Sequence, residues 1–289
     1  MAFAGRSLQT LALGLVTGSV LSALRDCVRV PWELAHGVKL LDTGSMTTPQ
    51  FYLAALLILL AVPAGDWRLR LRRPPRAWIA ALALSAFGLL IHNKRGTWLA
   101  FGLAVILLSL LRRNRRLLLA ILVGGVLIAS IPATRNRVMG LAGMFNPKEG
   151  DRAALWVKVA PPLLREHPWG YGYKSMRHED LKSYFRKVQS KLDHLHNNAL
   201  QISAELGWLG GGFWVAWMAA ALGSGLASVR RAAAAERSLA AGVCAAFFAL
   251  LANGLVEYNF GDTEILMLFA ILLGMIARRA GALEREGDE

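Results

Sequence analysis

The chain has 289 residues, of which 55% are hydrophobic, and a formal net charge of +14. Its mean hydropathy is +0.41. This composition excludes one or two ordinary soluble domains and indicates a polytopic membrane protein. The apolar segments are continuous runs of about 15 to 20 residues, whereas the strands of a membrane barrel would alternate apolar and polar residues. The sequence therefore predicts an all-α fold whose helices cross a bilayer.

Eight apolar segments are predicted to span the membrane. In chain order they are 7–24, 50–64, 77–92, 97–111, 117–133, 203–223, 240–256 and 263–277. The predicted organisation has three parts: 1–133 with about five N-terminal spans, 134–202 as one large water-facing loop, and 203–289 with about three spans and a short tail.

Arginines cluster in three short connectors between the predicted spans. They are Arg68, Arg70, Arg72, Arg73 and Arg76, then Arg112, Arg113, Arg115 and Arg116, then Arg230, Arg231 and Arg237. These clusters lie in every second connector between the predicted spans. A single topology with both termini in the cytoplasm therefore satisfies the positive-inside rule for all three. The segments 25–49, 93–96, 134–202 and 257–262 are then expected on the opposite side, which is the periplasm in a Gram-negative bacterium. The net charge is thus attributed to membrane topology rather than to nucleic-acid binding.

The loop 134–202 is the predicted functional region. It holds twelve Lys or Arg against six Asp or Glu, and four of the six histidines. Its aromatic residues and a helical run around 151–166, interrupted or started by Pro161 and Pro162, predict a partly helical cap on the membrane surface. The positive charge predicts an anionic partner. Anchoring to acidic lipids is the alternative, and it suits the three basic residues Lys182, Arg186 and Lys187.

Two arginines are candidates for binding an anion at fixed positions. Arg152 begins the sequence RAALW, in which Leu155 and Trp156 would hold the same helical turn on an apolar surface. Arg95 lies in HNKRGTW between two closely spaced spans, where a charge is costly unless partnered. Lys94 is interpreted as a residue that reaches lipid headgroups. Guanidinium groups match phosphate oxygens in bidentate geometry, so Arg95 and Arg152 are predicted to bind a diphosphate.

His196 is the candidate general base, because an imidazole can take a proton from a hydroxyl near neutral pH. Asn197 and Asn198 follow it and would cap the next helix or bind sugar hydroxyls. His194 is the neighbouring alternative. A metal site formed by Asp193, His194 and His196 is not predicted, since the cluster lacks the helical i, i+4 spacing and a distant third ligand. No cofactor is predicted.

Three motifs together resemble a known family. The first is His196 and Asn197, nine residues, Gly207, two residues and Gly210. The second is RGTW at 95–98, which is similar to a family element S-R-G with Lys94 in place of the serine. The third is RAALW at 152–156 followed by EHPWGYG at 166–172. In order and spacing, over about residues 80–225, they resemble the bacterial O-antigen ligase and O-antigen polymerase superfamily.

The resemblance implies a metal-independent, inverting glycosyl transfer at the periplasmic face of the inner membrane. The donor would be a glycan on undecaprenyl diphosphate and the acceptor a sugar hydroxyl of lipid A core. Arg95 and Arg152 would hold the diphosphate, and His196 would activate the acceptor. Possible contacts to the acceptor or glycan are Asn197, Asn198, Tyr171, Tyr173 and His194.

Within this resemblance the single large loop favours a ligase. A polymerase that transfers the glycan to another lipid-linked repeat, or a related enzyme that glycosylates protein side chains, is the alternative within the family. A non-catalytic protein that binds or transports a lipid-linked glycan is the alternative of another class. Family members usually have more spans before the element at 95–98, so a fragment of a longer protein is a further expectation.

Overall fold

The computed structural model describes residues 2–38, 45, 47–62, 75–130, 132–147, 152–186, 188 and 194–287. Within these ranges the chain is helical and contains no strand, which confirms the predicted all-α fold. The α-helices are α1 (Ala2–Ala35), α2 (Thr48–Ala61), α3 (Pro75–Ile91), α4 (Arg95–Arg112), α5 (Arg115–Ser130), α6 (Pro132–Met139), α7 (Arg152–Ala154), α8 (Ala160–Glu166), α9 (Glu179–Arg186), α10 (Asn198–Arg231), α11 (Ala234–Gly254) and α12 (Thr263–Gly287).

The chain divides into two compact units. Unit 1 comprises 1–127, 221–250 and 264–289, and unit 2 comprises 128–220 and 251–263. The predicted loop 134–202 therefore lies in unit 2, together with residues 198–220 of α10 and the connector that follows α11.

Unit 1 is built around α2. Nearly every side chain of this helix is buried, as expected for a helix that is apolar on all sides, and it packs against α1, α3 and α4. Glycines permit two close approaches to α2. A Cβ atom at Gly88 of α3 would lie 2.7 Å from the Tyr52 ring, and one at Gly242 of α11 would lie 2.8 Å from the Cβ of Ala61. These positions fix how α3 and α11 pack on the central helix.

The core of unit 2 is organised by a continuous helical run from α7 to α8. A π-helical turn, Leu155–Val159, joins the two helices, and Pro161 and Pro162 follow it in the first turn of α8. A wider turn is consistent with prolines that lack amide protons. This confirms the helical run predicted around 151–166, in which α8 begins at Ala160, directly before the two prolines. The buried side chains of the run pack with those of α9 and with Leu195.

A backbone clasp joins the segment 168–172 to α10. Gly207 interrupts α10 with φ 75° and ψ 177°, which leaves helical carbonyls without their usual partners. The amides of Tyr171 and Gly172 donate to the carbonyls of Ala204 and Glu205 at 3.0 and 2.9 Å. The motif EHPWGYG and the first glycine of the motif that begins at His196 thus meet as a structural unit.

We expect Gly207→Ala to destabilise this clasp by about 2 to 3 kcal/mol, because a side chain is strained at positive φ. In addition, its Cβ would lie 2.6 Å from the Pro168 carbonyl oxygen. Thermal unfolding of the purified variant in detergent measures the loss. Gly212→Ala in the same helix is the control, since its Cβ would have nothing within 4 Å. Equal unfolding temperatures for the two variants would contradict the clasp.

Within the described residues, four helical segments are long and apolar enough to cross a membrane: Leu8–Ala35, Arg95–Arg112, Asn198–Arg231 and Glu236–Gly254. Three further apolar helices are shorter: Thr48–Ala61, Arg76–Ile91 and Thr263–Ala277. The predicted number of eight spans is therefore not confirmed. The predicted arginine connector at 68–73 lies outside the described residues, and the topology stays a prediction.

Candidate functional site

His196 is held rigidly just before α10. The residue has φ 47°, and only 4% of it is exposed. Its neighbour Leu195 is fixed through both backbone groups. The Leu195 amide donates to Gln201 Oε1 at 2.8 Å, and the Leu195 carbonyl accepts from Trp156 Nε1 at 2.9 Å. The imidazole is thereby presented from a packed segment rather than from a loose loop.

Glu257 bridges the two predicted functional groups of unit 2. One carboxylate oxygen, Oε2, lies 2.7 Å from Nδ1 of His196, and the other, Oε1, forms an ion pair with Nη2 of Arg152. Arg152 begins α7, and its Nη1 lies 3.4 Å from Sδ of Met144. The arginine, carboxylate and imidazole side chains are 12%, 16% and 6% exposed. Arg152 and His196, predicted from separate motifs, thus share one carboxylate.

Asn197 caps α10 and also fixes the connector after α11. Its Oδ1 accepts from the Leu200 amide at 3.0 Å, which satisfies one of the unpaired amides at the helix start. Its Nδ2 donates to the Leu255 carbonyl at 2.9 Å. The capping role predicted from the sequence is present.

Asn198 fixes the same connector further along. Its Oδ1 accepts from the amides of Asn259 and Phe260 at 2.8 and 3.4 Å, and the residue is buried. Gly254 allows this approach, because a Cβ there would lie 2.2 Å from Nδ2 of Asn198. These contacts favour a structural role for Asn198, and they hold the connector that carries Glu257.

The surroundings of Glu257 stabilise its charged form. Burial is the largest single influence and raises the pKa of this carboxyl, but the hydrogen bond with His196 and the charges of Arg152, His196 and His194 together lower it more. The net pKa lies below the ordinary value of 4.5. A carboxylate can only accept hydrogen bonds, so Nδ1 of His196 carries a proton and the lone pair of the neutral ring is on Nε2. Among the described residues, nothing forms a hydrogen bond with Nε2.

The lowered pKa predicts a dependence of stability on pH. Ionised Glu257 stabilises the fold at pH values above 4.5, and this contribution is lost as the pH falls through the lower folded value. We expect Glu257→Gln to cost about 3 kcal/mol at neutral pH and progressively less in acid. Unfolding temperatures of both proteins, measured from pH 7 downwards, test this. Glu179→Gln is the control, since Glu179 pairs with Lys182 on the surface. A difference between wild type and Glu257→Gln that does not change with pH would contradict the prediction.

His194 lies beside the cluster. Its ring centroid is 4.1 Å from that of His196 and 6.0 Å from that of Tyr258. It therefore remains a candidate for contact with the acceptor.

The two predicted tyrosines of the loop differ in their surroundings. Tyr171 packs partly against the core of unit 2, with its ring 4.1 Å from that of His167. Tyr173 is 64% exposed, and the amino group of Lys174 lies 5.3 Å from its ring centroid. The position of Tyr173 is the more accessible to a ligand.

Arg95 begins α4 and belongs to unit 1, whereas Arg152 and His196 belong to unit 2. The convergence of Arg95 on the other two residues therefore stays a prediction. Lys182 and Arg186 pair with Glu179 on an exposed surface, and their anchoring to acidic lipids stays a prediction. Lys187 lies outside the described residues.

Within the described ranges no group of three or more His, Cys, Asp or Glu could hold a metal ion. Asp193 falls outside those ranges. The polar groups gathered at the site are an imidazole, a carboxylate and a guanidinium, which are side-chain types that suit proton transfer and anion binding.

Glu257 was not identified from the sequence. It is 61 residues from His196 along the chain, and no local spacing connects the two. One signal was available. The segment 257–262 is predicted on the same side of the membrane as the large loop, and it places an acidic residue directly after an apolar helix.

The described residues are all helical, include four candidate membrane spans, and bring His196, Glu257 and Arg152 together in one buried cluster. Residues 80–215 match the sequence model of the O-antigen ligase family. This match confirms the resemblance seen in the motifs, and the segment belongs to the O-antigen ligase and polymerase superfamily. No curated protein sequence matches the chain.

The family match covers Arg95, Arg152 and His196, and Glu257 lies beyond it. It indicates a glycosyltransferase-like ligase or polymerase that acts on a lipid-linked glycan and an acceptor. With the apolar helices, it indicates a multi-pass bacterial membrane protein.

Proposed function

We propose that the protein is an O-antigen ligase of the bacterial inner membrane with its active site facing the periplasm. It would transfer a glycan from undecaprenyl diphosphate to a sugar hydroxyl of lipid A core, with inversion and without a metal ion. The observation that carries the proposal is the single carboxylate of Glu257, which contacts His196 with one oxygen and Arg152 with the other.

In the proposed reaction, Nε2 of His196 takes the proton of the acceptor hydroxyl. The hydroxyl oxygen attacks the anomeric carbon of the donor sugar from the face opposite the diphosphate. The bond between that carbon and the diphosphate oxygen breaks, and the electron pair leaves with the diphosphate. One bond forms and one breaks at the same carbon, so the configuration inverts.

The leaving diphosphate gains negative charge, and a fixed guanidinium stabilises that charge without reorganisation of solvent. Arg152 is suited to this role, because its side chain is mostly buried and held by Glu257 and Met144. Arg95 is proposed as the second cation. Cationic positioning of a good leaving group would replace the metal ion that many soluble glycosyltransferases use.

Glu257 is proposed as a positioning residue. It fixes the tautomer and the orientation of His196 and favours the imidazolium that forms when the proton is taken. It also holds Arg152 next to the base before the donor binds. Both functional groups would then be ordered by one side chain.

The test is a transfer assay with the full chain in detergent. The donor is a glycan on undecaprenyl diphosphate, offered with purified lipid A core, with a second lipid-linked repeat, or with no acceptor, each with and without a chelator. A ligase yields a product on lipid A core that the chelator does not affect.

The other outcomes each contradict the proposal in a distinct way. Product only on the second lipid-linked repeat would identify a polymerase. Donor binding without product on either acceptor would identify a binding or transport protein. Loss of product with the chelator would overturn the metal-independent mechanism.

A further inference from the structure

Unit 1 contains a buried polar cluster that the proposed reaction does not use. We propose that this cluster, formed by Asp26, Tyr52 and His92, positions the start of α4 and thereby sets the place of Arg95. The proposal rests on the proposed function in one respect, namely that Arg95 binds the donor diphosphate.

The cluster joins three helices through one carboxylate. Asp26 of α1 is fully buried. Its Oδ2 accepts from the Tyr52 hydroxyl of α2 at 2.5 Å and lies 2.9 Å from Nε2 of His92, which follows α3. The Tyr52 hydroxyl also lies 3.0 Å from Oγ of Ser22. Gly88 is required here, because its missing side chain leaves room for the Tyr52 ring.

The charge of the buried carboxylate is balanced from α1 itself. Its second oxygen, Oδ1, lies 3.1 Å from Nη2 of Arg25 and 3.3 Å from Nε of Arg29. Since the carboxylate accepts, the His92 nitrogen that faces it is the donor. Such a network is directional, so it specifies where the histidine lies and not merely that it is buried.

His92 is only three residues before Arg95, and the short connector between them has a tightly defined backbone. Asn93 has φ 53°, a left-handed conformation that an asparagine tolerates better than most residues. The amide of Trp98 donates to the Lys94 carbonyl at 3.1 Å. A displacement of His92 would therefore pass directly to the first turn of α4.

Two more contacts hold that first turn. Nε1 of Trp98 donates to the Leu89 carbonyl at 3.0 Å, and Nε2 of Gln50 donates to Oγ1 of Thr97 at 3.2 Å. The first turn of α4 is thus tied to α2 through Thr97 and to α3 through Trp98. The carboxylate of Asp26 extends the same tie to α1.

The experiment compares His92→Gln, whose amide can still donate to Asp26, with His92→Leu, which cannot. Leu108→Ala is the matched control, because Leu108 is buried in α4 far from the cluster. If His92→Leu does not fold, Tyr52→Phe takes its place, because it removes only the hydroxyl that donates to Asp26. Each full-length variant is measured for hydrogen exchange in the segment 90–99 and for the KM of the undecaprenyl diphosphate-linked donor.

We expect His92→Leu to speed exchange in 90–99 and to raise the donor KM about tenfold with a smaller change in kcat. His92→Gln should restore both measurements towards wild type. Leu108→Ala should lower the unfolding temperature without raising the donor KM. Unchanged exchange in 90–99 for His92→Leu, or a KM effect equally large in Leu108→Ala, would overturn the proposal.

Arg95→Ala separates this inference from the proposed function. If Arg95→Ala raises the donor KM but His92→Leu does not, the positioning role is wrong and the function stands. If Arg95→Ala leaves the KM unchanged, the diphosphate role of Arg95 is wrong, and exchange in 90–99 alone decides whether the cluster positions the start of α4. If the wild-type protein transfers no glycan, only the proposed function is contradicted. Hydrogen exchange in 90–99 still decides whether the cluster holds the connector.

Discussion

His196→Ala is expected to lower kcat for glycan transfer by about 10²- to 10⁴-fold, the range that a positioned general base contributes. The donor should still bind with nearly wild-type affinity, because its diphosphate is assigned to arginines and not to the imidazole. Steady-state transfer to lipid A core gives the kcat, and equilibrium binding of the donor gives the affinity. The two measurements together separate turnover from binding.

His194→Ala provides the comparison for this variant. Its ring centroid is 4.1 Å from that of His196, so it tests whether any nearby imidazole could act as the base. We expect less than about a tenfold change in kcat, because the ring that faces the carboxylate of Glu257 is that of His196. A larger loss in His194→Ala than in His196→Ala would reverse the assignment of the base.

His196→Ala also distinguishes an enzyme from a binding protein. A protein that only binds a lipid-linked diphosphate would have a lower affinity for the donor when Arg152 is replaced. Its affinity would not change when the His196 imidazole is removed. An enzyme keeps the donor and loses turnover. The outcome is therefore informative even before the acceptor is known.

The helical fold was largely accessible from the sequence, because the lengths of apolar runs and the positions of prolines are local signals. Continuous apolar segments predicted the helices, and Pro161 and Pro162 marked the start of α8. The capping role of Asn197 followed in the same way, since a cap depends only on its own helix. What the sequence did not resolve is how many of the helices span the membrane, because α2 and α3 are apolar but short.

The contacts that join distant segments were not accessible. Glu257 meets His196 across 61 residues, and Asp26 meets His92 across 66 residues. Each pair consists of one polar residue in or next to an apolar helix and a partner that lies next to another helix. A sequence reveals the cost of such a residue but not the partner that offsets it. The motif residues Gly207 and Gly170 raise the same difficulty. A Cβ atom at Gly170 would lie 2.4 Å from the Gly207 amide nitrogen, and one at Gly207 would lie 2.6 Å from the Pro168 carbonyl oxygen, so each glycine is required by the backbone of the other segment.

Glu257→Gln should lower kcat about 10²-fold or more, although Gln has nearly the same size. The neutral amide no longer favours the imidazolium that forms on His196 during proton transfer. It also gives up the ion pair that holds Arg152. Transfer kinetics at neutral pH measure the loss, and the unfolding temperature accounts for the part that comes from reduced stability.

The double variant Glu257→Gln with His196→Ala decides whether Glu257 acts through the histidine. If it does, the double variant transfers glycan no more slowly than His196→Ala alone, because residues that act as one unit give non-additive losses. The remaining effect through Arg152 would appear in donor binding instead. Fully additive losses in kcat would mean that Glu257 acts independently of His196, and the arrangement in which one carboxylate orders both base and cation would be wrong.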